Sequence, residues 1–116
     1  MIVTTDGEID DRSSMVRFLL YTCDFDVAGI VQVNGVQKDG HSKERWIEEQ
    51  IAHYATCLPN LRKHNPNYPD AEQLLRVVSV GNENRADLRK DPTLLSDSEG
   101  AQLIIRTLLD EDPRPV

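Results

Sequence analysis

The sequence has few of the features that identify common classes of binding protein. It contains no run of Lys and Arg, and its net charge of −7 argues against binding to nucleic-acid phosphates or to anionic membrane surfaces. No apolar run approaches the roughly 20 residues that a membrane-spanning helix requires. We therefore expect neither a nucleic-acid partner nor a membrane partner.

Aromatic residues and cysteines are also scarce. Aromatic residues make up 5% of the chain and apolar residues 39%, which is lean for a free-standing globule of 116 residues, although this length can bury the core of one domain. Cys23 and Cys57 form no C-x-x-C pair. One disulfide or two free thiols would fit, and we favour two buried free thiols.

Several sequence motifs of catalysis are missing. There is no G-x-x-x-x-G-K-S/T or G-x-G-x-x-G run, and the histidines do not have H-E-x-x-H spacing. Ser13 and Ser14 lack the flanking glycines of a nucleophile elbow. These absences argue against a phosphate-binding loop, a zinc protease site and a serine nucleophile.

The sequence does contain a concentration of carboxylates near its start. Ile2–Thr4 predicts a short buried strand, and apolar spacing after it predicts a helix from Asp11 to Tyr21. Between strand and helix, four acidic residues occupy six positions: Asp6, Glu8, Asp10 and Asp11. In open α/β sheets, ligands bind at this end of a strand.

These carboxylates would repel one another at neutral pH unless a cation lay among them. Hard cations such as Ca²⁺ and Mg²⁺ prefer carboxylate oxygens, so we predict that Asp6, Asp10 and Asp11 form part of a metal site. The alternative is that Asp10 or Asp11 simply caps the helix, which is a common role for Asp. A cap does not account for Asp6.

The next segments repeat the alternation of strand and helix. Val27–Val33 is almost continuously apolar and predicts a second strand, parallel to the first with a right-handed crossover. Asn34 follows it and should face Asp6 and Asp10 across the same sheet edge. The alternative is that Asn34 bonds its own backbone.

A long helix is predicted after residue 42, with Ser42 as its N-cap. Its apolar stripe is Ile47, Ile51, Tyr54, Leu58 and Leu61. Pro59 should end or kink this helix. Trp46 lies one position off the stripe. It either lines the loop edge, stacks on a sugar ring or packs at the rim, and we favour packing at the rim.

The remaining elements follow from capping signals. Asp70 should cap a short helix through Leu75, with Gln73 completing a capping box, and Val77–Val80 resembles a third strand. Residues 81–97 predict a long polar loop. Ser98 should cap a last helix with the apolar face Ala101, Ile104, Ile105, Leu108 and Leu109. The fold class is therefore α/β, with a largely parallel, doubly wound sheet.

Two motifs carry a resemblance to a known family. Thr5–Asp11, with its D-x-x-x-D-D pattern, resembles the amino-terminal signature of the nucleoside hydrolases, and Asp26–Val31 followed by Asn34 resembles their second strand. The sequence is similar to a carbohydrate-associated branch of that superfamily, described as cellulose-binding or nucleoside hydrolase-related. In that branch, segments like Thr4–Ser13, Val33–Gly40 and Asp110–Val116 recur in this order.

The resemblance implies where this chain belongs. Residues 1–116 would be the amino-terminal portion of a single nucleoside hydrolase-like domain, because a further strand would follow Val116. The branch is usually exported, which implies an extracellular or periplasmic protein, although no signal peptide precedes the first strand. A homo-oligomer is compatible with the sequence.

The resemblance also implies an activity, the Ca²⁺-assisted hydrolysis of an N-glycosidic or related glycosidic bond in a nucleoside or sugar. Asp11 would chelate the metal, and Asp6 would bind it and act as general base toward water. Asp10 and Asn34 would bind the sugar. The sequence departs from the family pattern at Thr4 and at Gly7-Glu8.

Two other functions remain open on the sequence. The protein could bind carbohydrate without catalysis, with Trp46, Tyr54 and Tyr68 as rings that stack on sugars. It could also be a structural segment whose acidic residues are caps. We expect the 116-residue chain alone to lack nucleoside hydrolase activity and to bind metal weakly.

Overall fold

The computed structural model describes residues 1–33, 45–81, 91 and 97–111. The strands are β1 (Ile2–Thr5), β2 (Gly29–Gln32) and β3 (Val78–Val80). The helices are α1 (Ile9–Tyr21, with a 3-10 turn at Thr22–Asp24), α2 (Trp46–His64), α3 (Ala71–Leu75) and α4 (Glu99–Leu109).

The three strands form a parallel sheet in the order β1-β2-β3. Ile2 pairs with Gly29 and Thr5 with Gln32, so β1 and β2 run side by side over their whole length. Parallel neighbours need a crossover connection, and helices lie between successive strands. The predicted α/β class and parallel sheet are confirmed.

Helices cover both faces of this sheet. On one face, Ile30 of β2 belongs to the buried core together with residues of α1, α2 and α3: Met15, Leu19, Trp46, Ile47, Ile51, Tyr54, Leu58 and Leu74. On the other face, α4 packs so closely that a Cβ on Gly29 would lie 2.5 Å from Cδ2 of Leu103. The arrangement is the doubly wound one that the sequence predicts.

Outside α2, the element boundaries of the described residues differ from the predicted ones by two residues or fewer. α1 begins at Ile9 rather than at Asp11, and β2 covers only the central part of Val27–Val33. The pairing of the chain nevertheless continues past β2, because the N–H of Val33 donates to the carbonyl of Thr5 over 2.8 Å. This bond holds the carboxyl end of β2 beside the carboxyl end of β1.

α2 shows where one sequence rule gives way to packing. The apolar stripe is confirmed, but the helix continues through Pro59 to His64 instead of ending there. Pro59 is exposed and removes one backbone hydrogen bond. Burial of Leu58 before it and partial burial of Leu61 after it hold the last turns against the core, which offsets that loss.

The capping predictions can be checked at α3 and α4. The N–H of Asp70 donates to Oε1 of Gln73 over 2.7 Å, and the N–H of Ala101 donates to Oγ of Ser98 over 3.2 Å, so both predicted caps are confirmed. Ser42 lies outside the described residues. The residue before α2 is Arg45, in a left-handed conformation with φ of 65° and no side-chain cap bond.

Two predictions of burial are wrong. Both cysteines are free, but Cys57 is exposed and Cys23 is partly exposed, because Cys57 faces away from the stripe of α2. On α4, the predicted apolar face packs only near its start, and Leu108 and Leu109 are 63% and 78% exposed.

In the described part of the chain, no helix is long and apolar enough to cross a membrane.

Candidate metal and ligand site at the acidic turn

The four predicted carboxylates lie on one connection, residues 6–11, which we call the acidic turn. Asp6 follows the last residue of β1, while Asp10 and Asp11 lie in the first turn of α1. This is the carboxyl end of a parallel strand, the edge at which α/β sheets bind ligands. The sequence therefore located this turn correctly in the fold.

Asp11 closes the acidic turn by bonding back to the strand. Its Oδ2 accepts a 2.9 Å hydrogen bond from Oγ1 of Thr5 and a 2.7 Å bond from the N–H of Asp6. Thr5 is buried, so its hydroxyl is fixed. Asp11 does not cap α1, since the N-cap residue is Glu8 and makes no side-chain cap bond. The helix-cap alternative thus fails for Asp11, whose partner lies outside the helix.

These contacts favour the charged form of Asp11. The hydrogen bond from the Asp6 backbone lowers the pKa of the Asp11 carboxyl, and partial burial opposes that effect. The Thr5 hydroxyl, the Asp6 side chain and the Gly7 backbone lower the pKa further, so the net direction is below the ordinary value. Asp11 is therefore ionised at neutral pH.

The structure brings Asp6 close to Asp11 and leaves Asp10 at the surface. The Asp6 side chain is among the groups that act directly on Asp11, and its Oδ1 accepts a 3.0 Å bond from the N–H of Glu8. Asp10 is exposed. Among the described residues, no group of three His, Cys, Asp or Glu side chains is arranged to hold a metal ion. Asn34 lies outside the described residues.

Among the described residues, the carboxylates of the acidic turn form no ion pair. The ion pairs between described residues are Arg62–Asp70 and Arg76–Glu72, which lie on α2 and α3. Arg12 is the nearest basic residue in sequence, but its Nε donates to the carbonyl of Gly7 over 3.3 Å. In this part of the chain, the negative charge of the turn is left uncompensated.

Trp46 lies against the acidic turn, whereas the sequence offered a place at the loop edge only as an alternative. Gly7 is buried with φ of 76°, and a Cβ at that position would lie 2.5 Å from Nε1 of Trp46. The guanidinium of Arg12 lies 5.8 Å from the centroid of the Trp46 ring. Trp46 is only 2% exposed, so its predicted place at the rim is wrong. The available signal was the glycine inside an otherwise acidic turn, which a close contact requires.

The other two candidate sugar-stacking rings are engaged within the protein. Tyr54 is buried, and its hydroxyl donates to the carbonyl of Pro69 over 2.7 Å. The Tyr68 hydroxyl donates to the carbonyl of Leu20 over 2.8 Å, and the two rings lie 6.5 Å apart. These tyrosines connect α2 to the loop before α3 and to α1.

Comparison with known proteins agrees with this fold. Over 99% of its length, the chain is similar to the solved structure of a nucleoside hydrolase-related hypothetical protein from Saccharophagus degradans that is associated with carbohydrate metabolism. The TM-score is 0.79 and the sequence identity 28%. The chain spans 28% of the length of that protein. No curated protein sequence matches the chain.

The family model for the cellulose-binding Sde182, nucleoside hydrolase-like domain matches residues 1–116, which is the whole chain. That match agrees with the α/β fold and its parallel sheet. The chain belongs to this family of nucleoside hydrolase-like domains.

Proposed function

We propose that the complete protein containing this chain hydrolyses an N-glycosidic or related glycosidic bond with the help of Ca²⁺ held at the acidic turn. The observation that carries this proposal is the pairing of Asp6 and Asp11 at the end of β1 without a basic partner among the described residues. Two close carboxylates, one of them with a lowered pKa, are stabilised by a bound cation.

The chemistry of the donors fits Ca²⁺. The N–H of Glu8 donates to Oδ1 of Asp6. The Thr5 hydroxyl and the N–H of Asp6 both donate to Oδ2 of Asp11. Asp6 and Asp11 would hold the ion through carboxylate oxygens, the ligand type that Ca²⁺ prefers. Because Ca²⁺ takes about six to eight oxygens, this site also needs ligands from water or from outside the described residues.

Each residue then has a distinct part in the reaction. A bound Ca²⁺ would supply positive charge that lowers the pKa of a nearby water and orients it. Asp6 would accept a proton from the attacking water as general base. Asp10, exposed beside it, would accept a hydrogen bond from a sugar hydroxyl, and Asn34 would contact the same sugar. Asp11 would keep its charge and fix the turn.

The direct test uses the full-length protein. Turnover of a panel of nucleosides and aryl glycosides is measured before and after removal of Ca²⁺ with a chelator, and again after Ca²⁺ is restored. We expect turnover that is lost on chelation and recovered on restoration. Undiminished turnover without Ca²⁺ would contradict the proposed metal mechanism.

Matched variants separate the site from general effects. Asp6→Asn should abolish turnover, because an amide is a poor base and a weaker metal ligand. Glu72→Gln removes an exposed carboxylate on α3 that is far from the acidic turn in sequence and pairs with Arg76, and it should leave turnover unchanged. Equal losses in both variants would indicate a nonspecific charge effect.

A second candidate is carbohydrate binding without catalysis, a function that would fit the cellulose-binding description of the family. The described residues give it little support, because Trp46 and Tyr54 are buried and present no ring to a sugar. Retention of the full-length protein on cellulose, with no turnover of any substrate in the panel, would favour this function over the enzyme.

A further inference from the structure

One polar group beside the acidic turn is buried without a partner. Nε1 of Trp46 has no hydrogen-bond acceptor among the described residues, and the Trp46 side chain is 2% exposed. A buried indole N–H usually finds an acceptor, because leaving it unpaired costs the full desolvation of the group. An apolar ring of similar size would fill the same space without that cost.

The unpaired N–H faces the acidic turn rather than the core. Nε1 is the Trp46 atom nearest to the position that a Cβ on Gly7 would occupy. Gly7 lies between Asp6 and Glu8, and its carbonyl accepts the bond from Arg12. The indole edge therefore meets the backbone at the centre of the acidic turn.

Gly7 is the glycine of the acidic turn, so its backbone has the widest range of accessible φ among these residues. A glycine can change between positive and negative φ at little steric cost, whereas other residues cannot. A shift at Gly7 would uncover the indole N–H to whatever the turn has bound, while Asp11 stays tied to Thr5 and β1.

We propose that Trp46 is a positioning residue for the ligand of the acidic turn, and that its Nε1–H donates to an oxygen of a polyhydroxylated sugar bound there. This inference rests on the proposed function, since it requires a ligand at the turn. An N–H dipole points its positive end outward, so its partner is an oxygen atom and not the metal ion. The contribution is a hydrogen bond from the ring edge, which differs from stacking on the ring face.

The test uses the fact that Trp46 is the single tryptophan of the chain. In a ¹H–¹⁵N correlation spectrum of the 116-residue chain, it gives one indole resonance. The spectrum is recorded alone, with CaCl₂, and with CaCl₂ plus D-ribose. We expect Ca²⁺ to shift the backbone amides of Asp6, Gly7 and Asp11, and ribose to move the indole proton downfield and slow its exchange.

A second measurement separates the hydrogen bond from simple proximity. Replacing Trp46 by benzothienylalanine exchanges the N–H for sulfur and keeps the ring nearly the same size. We expect ribose affinity in the presence of Ca²⁺ to fall about five- to tenfold, the worth of one hydrogen bond, with Ca²⁺ affinity unchanged. The free energy of unfolding of the analogue without ligand should not be lower than that of the wild type, because the substitution removes an unpaired donor.

The outcomes distinguish the role of Trp46 from the existence of the metal site. Shifted amides with an unmoved indole resonance, or equal ribose affinity in the analogue, would overturn the role of Trp46 and leave the metal site standing. Amides that do not shift with Ca²⁺ would overturn the metal site, and the inference about Trp46 with it.

Discussion

The backbone N–H of Asp6 donates a 2.7 Å hydrogen bond to Oδ2 of Asp11, so the two ends of the acidic turn are joined directly. The buried Thr5 hydroxyl bonds the same oxygen. The chain itself therefore fixes the Asp6–Asp11 pair before any ligand binds. Such preorganisation lowers the cost of binding a cation, because the carboxylates need not be collected from separate conformations.

Removing Asp11 should destabilise the fold as well as the site. Asp11→Ala leaves the Thr5 hydroxyl and the Asp6 N–H without their acceptor, and we expect a loss of about 1–3 kcal/mol in the free energy of unfolding. Asp11→Asn keeps one oxygen acceptor and should lose less. Urea unfolding measures both, with Asp10→Ala as the exposed control. Equal losses at residues 10 and 11 would contradict this account.

The stability of the chain should depend on pH through Asp11. Its pKa in the folded state lies below the ordinary value of 3.8, so its contribution is fully present above that value. The contribution is lost as the pH falls through the lowered pKa of the folded state. We expect the difference in unfolding free energy between wild type and Asp11→Asn to shrink on acidification from pH 5 downward. A difference that grows in acid would show that the sign is wrong.

A side chain at Gly7 should be poorly tolerated. Gly7→Ala places a Cβ 2.5 Å from Nε1 of Trp46 at φ of 76°. Left-handed backbone and overpacking together predict a loss of about 2–4 kcal/mol in thermal or urea unfolding. Gly29→Ala is the matched control, because its Cβ would meet the flexible end of Leu103 and no positive φ is involved.

A double variant separates the two causes at Gly7. Trp46→Phe removes the atoms nearest to the new Cβ but not the backbone strain. The penalty of Gly7→Ala should therefore be smaller when it is measured in the Trp46→Phe background. An unchanged penalty would mean that Trp46 and Gly7 do not pack as described.

Pro59 offers a prediction in the stabilising direction. It lies inside α2 and is exposed, and an interior proline costs a helix on the order of 3 kcal/mol. Pro59→Ala should raise the unfolding free energy by about 1–3 kcal/mol, because a helical hydrogen bond becomes available. Pro66→Ala in the loop before α3 is the control and should bring no gain. A destabilised Pro59→Ala protein would contradict the prediction.

Local patterns predicted most of the described fold. The apolar runs at Ile2 and Ile30 gave parallel strands, and the capping box of Asp70 and Gln73 fixed the start of α3. These features depend on residues close in sequence. The helix does not end at Pro59, because burial of Leu58 and partial burial of Leu61 outweigh the local rule.

The part of the candidate site that could be predicted also depends on residues close in sequence. Asp6 and Asp11 are five residues apart and lie at a strand end, so their proximity could be inferred. The contact between Gly7 and Trp46 joins residues far apart in the chain, and no periodicity specifies it. The bond from Thr5 to Asp11 also required knowledge of which face of β1 is buried.

Calcium titration of the 116-residue chain tests the central claim, that Asp6 and Asp11 share one cation. The amide resonances of both residues are followed in wild type, Asp6→Asn, Asp11→Asn and the Glu72→Gln control. The account predicts weak, saturable binding on the order of millimolar that both site variants lose and the control keeps. Binding that survives both substitutions, or wild-type amides that do not respond to Ca²⁺, would contradict it.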